Sequence, residues 1–369
     1  MRLQSGIRTS SILALWITMT LCAATAAAVV IGSSTTRAQA DVKAAAVAPA
    51  AAVTAPVPPP TEPATTVPPT TEPPTTEPPT TQPPPPPVAT PEVALGGALP
   101  APGTFTITPY EGLGSWVDVY DWSATYGGSA FGIPDVDRMA SLGVQTMYIQ
   151  VTRWDAPTTI LEPERLIPII TRARADGMHV VAWYLPDLED INVDFQRLVA
   201  AAELPVDGLA VDIESRTVQD VDQRNQVLLT LSQSLRAELP GQVLSAIVLP
   251  PVLMEDVNPN YWPNYPWAGL AQYYDVWQPM SYWTGRLPEW RDAYKYTAVN
   301  IDRIRDHIGN PQAPVHTVGG IGDGTSPDDV AGMLQAAIDH GAMGGSLYDY
   351  RTTGDDLWQP MQGFRVAPS

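Results

Sequence analysis

Cysteine occurs once in these 369 residues, at Cys22. No intrachain disulfide can form, and no cysteine-based zinc cluster can be assembled. Histidine is nearly as scarce: His179 and His316 begin strand-like runs, while His307 and His340 lie in helix-like segments. Zinc sites and histidine general bases are therefore disfavoured where a strand opens into a loop. Cations are few, 20 Lys and Arg against 39 Asp and Glu, for a formal net charge of −19 and no basic cluster. That field opposes nucleic acid and anionic lipid surfaces and says little about neutral substrates. There is no Gly-x-Ser-x-Gly elbow. Nothing in these patterns asks for a cofactor or a metal ion.

A basic start (Arg2, Arg8), a mostly apolar run from Ile12 to Ile31 and the triplet Ala38-Gln39-Ala40 have the layout of a secretory signal over residues 1–40. At roughly 20 residues the run is also long enough for an uncleaved membrane anchor. Leu21 before Cys22 is too large for a lipobox, and cleavage after Ala40 removes the thiol altogether. Residues 41–103 are rich in Pro, Thr, Ala and Glu, with Pro-Pro-Thr-Thr-Glu recurring from Pro68, Pro73 and, ending in Gln82, Pro78. Such a segment cannot bury a core, so it is expected to be a disordered, extended linker. The expected location is outside the cell, secreted or held at the envelope.

From residue 104 to 369 the periodicity alternates between strand and helix. Strand-like runs are Trp116 to Trp122, Val144 to Thr152, His179 to Leu185, Gly208 to Glu214, Val243 to Leu249, Val276 to Tyr282, Val315 to Gly319 and Gly345 to Tyr350. Helix-like stretches such as Pro163 to Asp176 and Val221 to Glu238 lie between them, opened by Pro134-Asp135, Glu162-Pro163 and Ser326-Pro327-Asp328-Asp329 and closed by Gly143, Gly177, Gly241 and Gly341. Eight such units in roughly 260 residues predict an α/β fold, a (β/α)8 TIM barrel. A doubly wound sheet is the alternative, but Tyr120-Asp121-Trp122-Ser123 is no nucleotide loop. Gly319 to Gly324, with no Lys or Arg, reads as a flexible loop.

The fourth run, Asp207-Gly208-Leu209-Ala210-Val211-Asp212-Ile213-Glu214, puts Ala210, Asp212 and Glu214 on one face. Two carboxylates two residues apart repel, which favours a usable proton donor near neutral pH. A barrel builds its site at the C-terminal ends of its strands. Those positions hold Asp118, Tyr120 and Asp121; Gln150 and Trp154; Trp183 and Tyr184; Gln278, Met280, Tyr282 and Trp283; and Tyr348 and Asp349. Acids, amides and aromatic rings together suit a sugar, because rings stack on pyranose C–H faces and a protonated carboxyl cleaves a glycosidic bond. The expected partner is a carbohydrate polymer or oligosaccharide, bound by a monomer.

These residues resemble the family 18 glycoside hydrolases, the chitinases and endo-N-acetylglucosaminidases. Asp207, Gly208, Asp212 and Glu214 match that family's Asp-Gly-x-Asp-x-Asp-x-Glu strand, and Gln278, Met280 and Tyr282 match its Gln-x-Met-x-Tyr strand. The resemblance implies substrate-assisted hydrolysis, with Glu214 as general acid, Asp212 holding the substrate N-acetyl group and Tyr282 hydrogen-bonding its oxygen. Ala210 replaces the middle Asp of that strand, Asp349 stands where the family carries a stacking Trp, and Ile213 where many members carry an aromatic residue. A catalytically inactive carbohydrate-binding barrel is therefore the alternative. Asp118 with Asp212-Ile213-Glu214 also resembles, more weakly, the family 25 lysozymes. The linker in front of such a barrel resembles the build of secreted actinobacterial proteins.

Overall fold

The computed structural model describes residues 103–128 and 130–367. The signal or anchor segment, and the linker up to residue 102, lie outside the described residues. Among the described residues no helix is long and apolar enough to cross a membrane.

Eight parallel strands alternate with helices: β1 (Gly112–Val117), β2 (Thr146–Gln150), β3 (His179–Tyr184), β4 (Gly208–Ile213), β5 (Leu244–Val248), β6 (Val276–Pro279), β7 (His316–Ile321) and β8 (Gly344–Tyr348). They form one sheet in the order β6-β5-β4-β3-β2-β1-β8-β7, and the ladder closes through parallel bridges from Trp277 to Val315 and from Met280 to Val318. The helices are α1 (Val119–Trp122), α2 (Ile133–Ser141), α3 (Pro163–Ala175), α4 (Ile191–Ala202), α5 (Val221–Glu238), α6 (Trp267–Leu270), α7 (Ala293–Ile308), α8 (Pro327–Asp339) and α9 (Trp358–Met361). This is the (β/α)8 barrel that the alternation predicts.

A barrel of eight strands leaves an interior that side chains must fill. Here the lower filling is a polar and aromatic stack. Trp116 lies on Tyr148 with ring centroids 4.3 Å apart and 14° between planes. Its indole N–H donates to Ser346 Oγ at 2.8 Å, and Ser346 Oγ lies 3.0 Å from His316 Nε2. His316 Nδ1 is 2.9 Å from the carbonyl of Tyr110. Since that carbonyl can only accept, Nδ1 carries the proton and the imidazole is neutral, with Nε2 accepting from the serine hydroxyl. The Tyr110 phenol closes the floor by donating to Leu209 O (3.0 Å) and accepting from Leu209 N (3.1 Å).

This floor explains the opening of the fourth-strand motif. A Cβ on Gly208 would lie 2.7 Å from the Tyr110 hydroxyl, so only glycine fits. Asp207 accepts from Val180 N at 2.9 Å and pairs with Arg174 at 3.0 Å, tying β3 and α3 to β4. Both residues serve the bottom of the barrel, away from the mouth.

Two expectations need correction. The first strand is Gly112–Val117, several residues earlier than the expected run from Trp116. The reason is Asp118, whose carboxylate accepts from Tyr120 N at 2.7 Å while Asp121 accepts from Asp118 N, a capping box that turns the chain into α1. The glycine run beginning at Gly319 is also no free loop, because Gly319, Gly320 and Ile321 complete β7. A Cβ at Gly319 would meet Met333 Sδ at 2.4 Å, and one at Gly320 would meet Trp283 at 2.9 Å. Close packing, and not mobility, calls for those glycines.

Burial pushes the His316 imidazole down to about 4, below the ordinary value of 6.5. The unfolded chain therefore takes up a proton between these values that the folded chain refuses, so stability falls as pH drops from about 6.5 to about 4. The expected loss from this group is about 3 kcal/mol. Denaturant titrations at pH 7 and pH 4 should give a smaller difference for His316→Gln than for the wild type; equal differences would assign the acid sensitivity elsewhere.

Candidate active site

At the C-terminal ends of the strands the barrel opens into a cavity of about 510 Å³. Asp212 and Glu214 stand side by side in its wall, carried there by β4 and its first loop residue. Asp118, Tyr120, Gln150, Trp154, Trp183, Met280, Tyr282 and Tyr348 also line it. Trp116 rises from the stack below to form part of its floor, with Trp183 edge-on at 6.0 Å and Tyr348 tilted at 6.5 Å.

Both β4 acids are driven toward their protonated forms. Burial raises Glu214 to about 7. Burial, reinforced by the neighbouring Glu214 charge, holds Asp212 well above the usual carboxylate range. Asp212 Oδ1 is buried and has no hydrogen-bond partner among the described residues, and the same is true of Trp183 Nε1. Both residues line the cleft, and each carries a buried polar atom without a partner among the described residues. Burial of a polar group without a partner is costly, so a polar ligand that meets these atoms is favoured over an apolar one. Tyr282 is kept firmly protonated, first by burial and then by the Glu214 and Asp212 carboxyls. Its hydroxyl is therefore available as a donor.

Other nominated residues turn away from the cavity. Tyr184 points to the far side of β3, where its hydroxyl donates to Asp194 and lies beside Arg197. Arg197 in turn holds the carbonyls of Trp154 and Ala156, so Tyr184 acts behind the loop that carries Trp154. Trp283 is buried in a separate apolar cluster with Tyr296 and Met333. Gln278 lies inside the barrel but below the cavity, accepting from Ser245 Oγ at 2.5 Å. Asp121 and Asp349 sit behind Asp118, and the three carboxylates lie within 4.8 Å of one another. They are held by protein donors: Arg351 on Asp121 at 3.0 Å, Tyr348 OH on Asp118 at 3.0 Å, and Thr352 N on Asp349 at 2.9 Å. Burial and the Asp349 charge raise Asp118 to about 7. A cation of suitable size would find three oxygen ligands there.

Two arginines also line the cavity, Arg153 after β2 and Arg216 after β4. Loop residues carry no strand periodicity, and the sequence offered no signal for them. Trp116 is different: it shares a face with Asp118 at the two-residue spacing of a strand, and a correct start for β1 would have found it.

The mouth is braced by Glu162. Its carboxylate accepts from Ser123 Oγ (2.7 Å), Ala124 N (3.1 Å), Thr125 N (2.8 Å) and Thr125 Oγ1 (2.8 Å), fastening the loop after α1 to the start of α3. Partial burial works against its charge, but these four donors outweigh it and bring Glu162 down to about 2.

No protein-family model matches the chain, and no curated protein matches it in sequence. Its barrel does match solved structures. The spore cortex-lytic enzyme SleL of Bacillus cereus is 11% identical, over 69% of this chain and 75% of that one, with a TM-score of 0.53. A family 18 chitinase of Cycas revoluta in complex with allosamidin is 13% identical, over 68% and 98% of the two chains, with a TM-score of 0.52. A mutant of the Cycas revoluta enzyme bound to (GlcNAc)4 gives 12% and 0.51 over the same shares. The likeness is one of fold: the chain is a (β/α)8 barrel similar to those of these enzymes.

Glu162→Gln removes the charge that four donors converge on. The folded barrel should persist with a melting temperature lowered by roughly 2–4 °C, the size expected for about 1 kcal/mol in a domain of this length. Calorimetry at pH 7 checks this, and an unchanged melting temperature would show that the brace contributes nothing.

Proposed function

We propose that this chain is a glycoside hydrolase that cleaves an N-acetylhexosamine-containing polysaccharide, cell-wall glycan among the candidates, with Glu214 as general acid. The observation that carries the reading is the Asp212–Glu214 pair in the wall of an aromatic cleft, with Asp212 Oδ1 buried and unmatched among the described residues. In the proposed reaction a sugar stacks against the cleft rings, and its acetamido N–H donates to Asp212. The Tyr282 hydroxyl donates to the acetamido oxygen and orients it. That oxygen attacks the anomeric carbon while the Glu214 carboxyl gives its proton to the leaving glycosidic oxygen. A water molecule then opens the cyclic intermediate, with Glu214 accepting a proton back.

Supporting this reading are the barrel type, the oligosaccharide complexes of the structural neighbours, and burial, which keeps a proton on Glu214 near neutral pH. The basic start and apolar run at the N-terminus support a place outside the cell or at its envelope. The second reading is a carbohydrate-binding barrel without turnover. It is favoured by Ala210, which removes the third carboxylate, and by Asp349, which stands where a stacking ring would be. Saturable glycan binding with no product after long incubation would decide for it.

Three outcomes are expected with chitin oligomers and peptidoglycan. Glu214→Gln should lower kcat by on the order of 10² or more, and rates equal to wild type would remove Glu214 from the mechanism. Asp212→Ala should lower kcat by at least roughly 10² with a smaller change in KM, as for a contact made mainly in the transition state. Undiminished turnover in that variant, folded by circular dichroism, would eliminate substrate assistance and leave Glu214 in place. Because the acid must be protonated, kcat/KM should decline as pH rises through about 7. A flat profile between pH 6 and 9 would contradict the assignment.

A further inference from the structure

Beside the cleft lies a second cavity, of about 500 Å³. It sits between the loops that follow β3 and β4, against the first turns of α4 and α5, and so belongs to the same end of the barrel as Glu214. Gln219 lines both cavities, and they adjoin there. The stretch from Ser215 to Gln219, which leads away from Glu214, forms the ridge between them.

That ridge is fixed by its own bonds. Ser215 Oγ donates to the Asp187 carbonyl at 3.2 Å and accepts from Thr217 N at 3.3 Å. Gln219 Nε2 donates to the carbonyls of Arg216 (2.7 Å) and Thr217 (3.3 Å), which folds its side chain back onto the ridge. On the groove's other wall Leu188 takes a left-handed backbone, with φ of 66°, that a bulky residue adopts only where its surroundings impose it. Its N–H donates to Asp194 Oδ2 at 3.0 Å, which holds it there. Neither wall has to be ordered when a ligand arrives, and that lowers the cost of binding.

The lining is both aliphatic and hydrogen-bonding. Leu188, Ile191, Val218 and Val227 offer apolar surface, while Glu189, Gln219, Asp220 and Gln223 set oxygens and amide groups around it. That mixture suits the C–H faces and hydroxyls of a sugar chain. Among the described residues that line the groove none is cationic and two are acids, which disfavours a carboxylate-bearing chain and leaves a neutral one. The cleft itself, at about 510 Å³, is the size of a site for a drug-sized ligand, here a short oligosaccharide. A longer chain has to continue beyond it, and the ridge at Gln219 leads into the groove.

We propose that the second groove is an outer subsite of the cleft, binding further units of a neutral N-acetylhexosamine chain, so that the protein selects long chains over short oligomers. The proposal rests on the reading of the cleft as a sugar site and adds the length of chain that the site takes. With no aromatic ring in its lining the groove lacks a stacking platform, so its contribution is about tenfold in affinity and not several orders of magnitude.

The test is calorimetric titration of the full chain carrying Glu214→Gln, so that turnover does not intrude, with N-acetylglucosamine oligomers from the dimer to the hexamer. The hexamer is expected to bind about tenfold more tightly than the trimer. Adding Glu189→Ala and Gln223→Ala removes two exposed side chains and leaves the backbone bonds of their loops in place. This variant should remove most of the hexamer's gain and leave trimer affinity unchanged. Gln223→Trp, which puts a ring into the groove, should alter hexamer affinity and again spare the trimer. Equal affinity for all lengths, or a hexamer-to-trimer ratio that neither variant changes, overturns the proposal. No binding of any oligomer overturns the sugar reading and the proposal with it. Length-selective binding by a wild-type chain that releases no reducing ends would overturn the hydrolase reading alone.

Discussion

The interior of an eight-stranded barrel has to be filled, and how this one is filled decides everything above it. Trp116 on Tyr148, pinned through Ser346 to His316 and through His316 to the Tyr110 carbonyl, forms a plug from five elements of the chain. Each polar atom in that chain of bonds has one role open to it, so the plug is rigid and neutral. It fills the N-terminal end of the barrel, and the cavity opens at the C-terminal end. The cleft is thus the part of the interior that the plug leaves unfilled, and Trp116 belongs to both.

Burial in the wall of this cavity sets the chemistry of the acids around it. Asp212 and Glu214 have no ion-pair partner among the described residues, so desolvation and mutual repulsion act on them without opposition. Behind Asp118 the same desolvation acts on three carboxylates with the single guanidinium of Arg351 between them. Acids that would be anionic on the surface are here poised to hold protons. The proton inventory of the cleft follows from the shape of its floor.

Much of this was legible in the sequence, and the misses fall where the strands end. The eight units, most strand positions and the residues of β4 follow from short, largely apolar runs alternating with helical periodicity, as expected of strands buried on both faces. At the mouth, four neighbouring pairs were nominated together: Tyr120 with Asp121, Trp183 with Tyr184, Tyr282 with Trp283, and Tyr348 with Asp349. On β3 successive side chains point to opposite faces, so only one of Trp183 and Tyr184 can enter the cavity; the other pairs lie in α1 or at and beyond the ends of β6 and β8, where the turn of the chain divides them. Tyr120, Trp183, Tyr282 and Tyr348 line the cavity; their partners serve the network behind or the shell outside. Enforcing alternation to the end of β3 would have separated Trp183 from Tyr184. Arg153 and Arg216 were beyond reach, because they are placed by loop conformation, which no period encodes.

Ala210 joins these strands of reasoning. The register sets it across from Trp183 on one side and Ser245 on the other, fully buried at the level where the aromatic floor begins. A carboxylate there would have to share that layer with the indoles of Trp116 and Trp183, whose rings already meet at 6.0 Å. The aromatic floor and a third acid on β4 therefore compete for the same volume, and this chain carries the floor. Asp212 consequently has no carboxylate one step below it on its own face, and its Oδ1 is buried without a partner among the described residues.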